Sequence, residues 1–288
     1  MPIVDVLIPT FQRTTALAAT LACLLGQELE SFSVVVSDQG EPSALEDGTI
    51  QAVLRALRAL GHEVRTYTHR PPRNIAEHRE FLLQQASAPY VLFLDDDVLM
   101  ERWVLRRLVE TIQEERCGFV GAFPAGLSYL HDIRPHQQHL ELWEGPVHPE
   151  LVEPGSPAWE RAQLHRAANV WHVGQRFATQ PRRYKVAWIA QCCLYDRAKL
   201  LEVGGFSFWP RLPRYSSGED VLVQLLLLWR YGGCGILPSG TYHQEVPTTV
   251  LNKRGTVDGH ALDLLPELLE RLGLASAVDR TAPGQPVP

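Results

Sequence analysis

Apolar and polar positions run in blocks along the first third of this chain, and each block has its own period. VDVLIPT is a short apolar strand that ends in Pro-Thr. TTALAATLACLLGQ follows, with Leu17, Leu21, Leu24 and Leu25 on one helical face and Gly26 near its end. SFSVVVSDQG reads as a buried strand closed by Asp38 and Gly40. LEDGTIQAVLRALRALG reads as a second helix ended by Gly61, and EVRTYTH as a third strand. IAEHREFLLQQAS is a third helix and PYVLFL a fourth strand. This alternation predicts an α/β fold with a mostly parallel central sheet flanked by helices on both faces. In such sheets ligands sit beyond the carboxyl ends of the strands. Pro9, Thr10, Asp38, Asp95, Asp96 and Asp97 all stand at those ends, so one crevice could hold all of them.

The regularity fails at about residues 125–185, where Pro, Gly, Trp and His are frequent and no period is visible. Four histidines crowd into HDIRPHQQHLELWEGPVH, which suits either a metal site or a solvated loop. Order returns with VAWIAQCCLYDRAKLLEVGGF, read as a strand, a short helix and a Gly-Gly turn. SSGEDVLVQLLLLWRYGG then gives a small-residue turn, two acids and an apolar helix. GCGILPSGTYHQE reads as a final strand reaching His243. An acidic amphipathic helix is expected at 263–272, and the closing TAPGQPVP has the composition of a disordered tail.

Composition narrows the function classes. A hydrophobic share of 45% and a charged share of 21% are those of an ordinary globular protein. The formal net charge of -6 argues against a broad nucleic-acid footprint, so a phosphate-bearing ligand would need a local cation or a few arginines. Five cysteines without a C-x-x-C pair indicate neither a disulfide framework nor a zinc ribbon, and buried thiols in a reducing cytoplasm are expected. The N-terminal residues lack the basic stretch and apolar core of a signal peptide. VLVQLLLLW is too short to span a bilayer, which predicts a buried helix and no transmembrane segment, and leaves room for peripheral membrane contact.

The sharpest chemical feature is YVLFLDDDVL, an apolar strand running straight into three carboxylates. Carboxylate oxygens at a strand end can fill part of a Mg²⁺ or Mn²⁺ octahedron and leave the rest to substrate phosphates. A capped turn, with the acids accepting from the next helix's N–H groups, is the competing reading. Asp-x-Asp after an apolar strand occurs in haloacid-dehalogenase-type phosphatases and in nucleotide-sugar glycosyltransferases. The phosphatases usually carry it on their first strand. Here about ninety residues of α/β pattern precede it.

Taken in order, these motifs resemble family-2 glycosyltransferases of the GT-A fold. VDVLIPTFQR is similar to the family's first strand and nucleotide-binding turn, which brings in Pro9, Thr10 and Arg13. SVVVSDQG resembles the strand whose terminal Asp, here Asp38, contacts the nucleotide base. AEHREFLLQQASAPYVLFLDDD resembles the helix-then-strand approach to Asp-x-Asp. Its arginine falls on Arg79, while Glu80 stands where the family usually has Asn, a role Asn74 could take over. SSGEDVLVQLLLLWRYGG resembles the acidic pair and helix of the acceptor half, with Glu219 and Asp220. ILPSGTYHQE resembles the strand whose histidine, here His243, reaches the metal or diphosphate.

The resemblance implies an inverting transfer of sugar from a nucleoside-diphosphate donor, most commonly a UDP-sugar, to an acceptor hydroxyl, with Mn²⁺ or Mg²⁺ as cofactor. It implies Asp97 as the direct metal ligand, with His243 and Asp95 beside it. Asp95 would hold the ribose or a metal-bound water, and Asp96 is counted with the donor-binding residues. Asp220 would be the general base, and Glu219 would orient the acceptor or the helix mouth. The resemblance covers about residues 3–124 and 186–246. It implies that 1–124 is the nucleotide-sugar-binding half and that 186–257 is the acceptor and catalytic half of the same domain. The irregular composition of 125–185 between them predicts an insert bordering the acceptor cleft, and 258–288 is expected to be a C-terminal helix and tail. Two rivals remain at this point: a metal-dependent phosphohydrolase, and a catalytically silent protein that binds nucleotide sugars.

Overall fold

The computed structural model describes residues 1–247 and 258–274. The expected tail TAPGQPVP lies outside them. The predicted alternation is present. β1 (Val4–Thr10), α1 (Thr14–Leu24), β2 (Phe32–Asp38), α2 (Gly48–Ala59), β3 (Val64–Thr68), α3 (Ile75–Gln85) and β4 (Tyr90–Leu94) follow one another in that order. The chain continues through β5 (Val98–Met100), α4 (Val104–Glu115), β6 (Phe119–Gly121), β7 (Ala125–Gly126), α5 (Asn169–Gln175) and β8 (Arg182–Tyr184). β9 (Cys192–Asp196), α6 (Arg197–Glu202), β10 (Ser216–Ser217), α7 (Glu219–Tyr231), β11 (Gly233–Leu237), β12 (Thr241–His243), β13 (Gly259–His260) and α8 (Leu265–Arg271) complete it.

Eight strands form the central sheet in the order β3-β2-β1-β4-β9-β6-β11-β8. β1, β2, β3 and β4 are mutually parallel, and β6 pairs parallel with β11. β9 and β8 run antiparallel to their neighbours, so the sheet is mostly parallel. Because side chains alternate along a strand, each strand feeds two cores. Val4, Val6 and Ile8 of β1 join Leu92 and Leu94 of β4 against Leu17, Leu21, Leu54, Leu57 and Leu105. Leu7, Val91 and Phe93 face the other way, against Leu82 and Leu83 of α3 and the apolar turns of α7. Residues 221–229 of α7 are buried on every side, as expected of an all-apolar helix inside a protein.

Asp5 breaks the apolar run of β1. Its carboxylate is fully buried and accepts hydrogen bonds from Ser33 Oγ, from Arg65 Nη2 at 2.9 Å, and from the backbone N–H groups of Ser87 and Ala88 at 2.6 and 2.8 Å. It thereby ties three strands to the turn that launches β4.

Three details depart from the sequence reading. The final strand is not continuous. Pro238 and Gly240, the latter at φ +63°, split it into β11 in the main sheet and β12 in a small sheet of order β5-β12-β7. The segment between Asp97 and Ala125, whose elements the apolar pattern left unassigned, supplies β5, α4 and β6. Residues 125–185 are less irregular than their composition suggests. β8 joins the edge of the main sheet, and Trp143, Val152, Leu164, Val173 and Tyr184 are buried. The crowded histidines do not converge on a metal: among the described residues, no group of three or more His, Cys, Asp or Glu side chains is placed to hold one. All five cysteines are free, as expected, and no helix among the described residues is long and apolar enough to cross a membrane.

Replacing Asp5 with alanine strands the buried N–H of Ala88, the part-buried N–H of Ser87 and the partly buried Arg65. Removing one partner of such a network costs roughly 3–5 kcal/mol, so the melting temperature of Asp5→Ala should fall on the order of 10 °C. A melting temperature within about 2 °C of the parent would show that the network does not hold the sheet.

Candidate active site

The carboxyl ends of β1 and β4 open into a cleft of about 510 Å³. Much of its wall comes from six elements. Pro9 and Thr10 end β1, Phe11 and Arg13 follow it, and Gln39 follows β2. Ile75, His78 and Arg79 come from the first turns of α3. Asp95, Asp96 and Asp97 follow β4, and Ser216, Ser217, Gly218, Glu219 and Asp220 form the mouth of α7. His243 enters from β12. The topology alone brings these residues together, since β1 and β4 are neighbours in register from Val4↔Tyr90 to Leu7↔Phe93.

The three consecutive aspartates meet three different fates. Asp95, half-buried, pairs with Arg79 Nη2 at 3.2 Å. Asp96 turns back, accepting from Thr10 Oγ1 at 2.6 Å and from Arg13 Nη1 at 3.2 Å, while its carbonyl accepts from Thr20 Oγ1. Asp97 is 2% exposed; its Oδ2 meets Arg13 Nη1 and lies 3.3 Å from His243 Nε2. Among the described residues, its Oδ1 is buried with no hydrogen-bond partner. Burial pushes the Asp95 and Asp96 carboxyls up to about 6, against the pull of Arg79 on the first and of Thr10 and Arg13 on the second. Burial opposes ionisation of Asp97 as well, but the His243 hydrogen bond and charge together with Arg13 hold its carboxyl below the ordinary value. A carboxylate kept ionised, with one buried oxygen unsatisfied, is the donor a divalent cation needs.

Arg79 is the second anchor. It is 5% exposed, and besides Asp95 it pairs with Glu219 through Nε at 3.2 Å. Burial works against its charge, but Asp95, Glu219 and Asp220 keep its pKa above the ordinary value. Gly218, at φ +83°, turns the chain into α7 and places Glu219 and Asp220 in its first turn. Glu219 is buried. Its carboxyl is pushed up to about 7, chiefly by burial and then by Asp220, with Arg79 opposing. Asp220 is half-buried, lines the cleft, and accepts from the N–H of Val221 at 2.8 Å.

Two of the residues expected at the site stand behind it. Asp38 is fully buried; its carboxylate accepts from Gly40 N, Ser43 Oγ and Ala44 N at 2.6–2.7 Å, and the cleft is lined by its neighbour Gln39. Asn74 caps α3, accepting from Glu77 N at 2.9 Å, and donates to the carbonyls of Trp209 and Leu212 at 3.1 and 3.0 Å. Glu80, at the family's Asn position, accepts from Phe206 N. The sequence reading overlooked Arg73 and Arg214, which also line the cleft. Neither has a carboxylate partner among the described residues; they lie over the rings of Trp209 and Tyr215. The cue was there: each arginine flanks a proline in a turn at the mouth of a predicted helix. The insert does not reach this cleft. Val170, Trp171, Gly174, Gln175, Ala178 and Pro181 instead line a second cavity, of about 500 Å³, with Trp103 and Tyr242.

Comparison with known proteins agrees with this architecture. The model of the family described as Glycosyl transferase family 2 matches residues 5–184. The validoxylamine A glucosyltransferase of Streptomyces hygroscopicus subsp. jinggangensis (strain 5008) is 29% identical over 167 residues, covering 55% of this chain and 37% of that protein. The crystal structure of S. aureus TarS superposes with a TM-score of 0.52 at 16% identity, over 99% of this chain and 41% of that one. TarS 1-349 in complex with UDP-GlcNAc gives a TM-score of 0.56 at 15% identity, over 99% and 68%. The chain thus spans little more than a third of the curated relative and two fifths of full TarS.

The raised carboxyl of Glu219 makes stability depend on pH. The folded protein keeps a proton that the unfolded chain, near the ordinary value of 4.5, releases. The group's contribution is therefore fully present below pH 4.5 and is lost as pH rises through about 7. Glu219→Gln does not titrate, so its melting temperature should gain on the parent's between pH 5 and pH 8, by roughly 2–4 °C for each kcal/mol. An offset that stays constant with pH would mean that Glu219 is ionised throughout.

Proposed function

The chain belongs to glycosyl transferase family 2 and has the GT-A fold. From that premise we propose that it moves a sugar, with inversion and with the help of Mn²⁺ or Mg²⁺, from a UDP-sugar to an acceptor hydroxyl. The observation that carries this reading is the cleft itself: an ionised, half-satisfied Asp97 beside four arginines, with a helix-mouth carboxylate facing them. The TarS structure bound to UDP-GlcNAc supports uridine as the base. A cytoplasmic location belongs to the same reading and rests on the free, mostly buried thiols.

Asp97 would hold the cation, with Asp95 at the cleft mouth and donor phosphates completing the shell. A bound cation would neutralise charge growing on the departing diphosphate. Arg73 and Arg214, free of carboxylate partners among the described residues, are placed to receive the same charge. Gln39, which follows β2 and lines the cleft, would take the contact with the base expected of Asp38. Asp220 takes the proton of the acceptor hydroxyl as its oxygen bonds to the anomeric carbon and the carbon–oxygen bond to the diphosphate breaks. The unassisted hydroxyl is a weak nucleophile, and its proton becomes acidic only as the new bond forms, so a carboxylate suffices. Glu219, pushed toward the protonated form, sits beside that base and presents Arg79 with a partner.

Asp97→Asn should weaken Mn²⁺-dependent UDP binding by at least about tenfold while the fold survives. Calorimetry giving equal UDP affinity in Mn²⁺ and in EDTA would remove the metal from the reading. Asp220→Asn keeps the shape and loses the basicity, so turnover should fall roughly 10²–10⁴-fold with UDP affinity little changed. Near-normal turnover would take Asp220 out of the mechanism. Loss of both would assign it to the donor site.

A further inference from the structure

Successive residues of a strand point to opposite faces, and the two faces of β12 look onto different cavities. His243 lines the carboxylate cleft, while Tyr242 lines the second cavity of about 500 Å³. No residue lines both. The second cavity falls within the roughly 300–1,000 Å³ of small-molecule sites.

Three aromatic rings shape it, and each is held in place. Trp103, just before α4, packs against one core, and Trp171, on α5, packs against the other. Trp103 Nε1 donates to Glu101 Oε2 at 2.6 Å, and the Tyr242 hydroxyl donates to Oε1 of the same carboxylate. Glu101 N in turn donates to Gly240 O at 2.8 Å. A Cβ on Gly240 would overlap the Trp103 indole, so the turn between β11 and β12 admits that ring only as glycine. Trp171 and Tyr242 form a corner, with ring centroids 5.7 Å apart and planes inclined at 57°. All three rings are half-buried and line the cavity.

The polar lining is balanced. Glu101 and Glu110 stand against Arg106 and Arg107, so the cavity offers no excess charge to a phosphate or a nucleotide. Glu101 is committed to two rings, and Arg106 to Glu28 and Glu110 at 2.9 and 2.8 Å. Arg107 has no ion pair among the described residues, which leaves its N–H groups, with the amide of exposed Gln175, to bond a ligand. A wholly apolar ligand would desolvate these groups without pairing them. Fixed aromatic faces with uncommitted donors beside them suit a neutral molecule with C–H faces and hydroxyl edges, which is a saccharide.

We propose that this cavity is a second carbohydrate site, in which a neutral oligosaccharide lies against Trp103 and Trp171 and takes hydrogen bonds from Arg107. Naming the acceptor's sugar chain as its occupant rests on the transfer reading. Binding itself is measured without donor, metal or turnover, so the two ideas fail separately. Saturation-transfer NMR of the whole chain with maltotriose, cellotriose and chitotriose should show binding of at least one at millimolar concentration. Saturating UDP with Mg²⁺ should leave that binding in place. Trp171→Ala should weaken it about tenfold and Arg107→Ala several-fold, with Trp171→Phe between parent and alanine. Arg107→Ala loses no ion pair, so it tests the site even where Trp171→Ala fails to fold. No binding of any of the three sugars would overturn the proposal. So would binding that UDP with Mg²⁺ displaces and that both substitutions leave unchanged, since the sugar would then sit in the carboxylate cleft. Displacement of the sugar by inorganic phosphate would mark an anion site and overturn it as well.

Discussion

Five carboxylates share one cleft, and two guanidinium groups, Arg79 buried and Arg13 half-buried, make that arrangement tolerable. Like charges this close disfavour the folded state unless something positive stands among them. Arg13 reaches Asp96 and Asp97, and Arg79 reaches Asp95 and Glu219. Burial, with neighbouring carboxylates adding to it, still holds Asp95 and Asp96 near 6 and Glu219 near 7 against the pull of the arginines, while Asp97 is held in the ionised form. One oxygen, Asp97 Oδ1, is left buried with no hydrogen-bond partner among the described residues. On the proposed reading, a cation arriving with a diphosphate would meet that need, and a neutral ligand would not.

Much of this was legible in the chain because it is written in local patterns. Strand ends, the Asp-x-Asp run and the acids opening α7 are short-range signals, and the parallel topology dictated that they meet. What was not legible depended on direction rather than position. Asp38 sits at the right strand end, but Ser43 and the N–H groups of Gly40 and Ala44 occupy its carboxylate. Asn74 precedes a helix, and the same preference that makes it a good cap turns its side chain away from the cleft. Arg73 and Arg214 were passed over although each flanks a proline at a helix mouth, because that local pattern does not say which way the side chain turns. The burial of residues 125–185 was hidden for a related reason. Trp143, Val152 and Tyr184 are buried without forming a periodic element of their own.

The cleft joins parts of the chain that are far apart in sequence. β9 lies antiparallel between β4 and β6, inside the sheet, and Asp95 N donates to Gln191 O at 2.8 Å just before β9 begins. The strand that presents the aspartates is therefore hydrogen-bonded along its length to β9. Arg79 adds a second link, since its partners Asp95 and Glu219 stand at the end of β4 and at the mouth of α7. On the reading proposed above, a cation and diphosphate arriving at Asp95 would alter the field at Glu219 through a guanidinium that touches both, and Glu219 adjoins the proposed base.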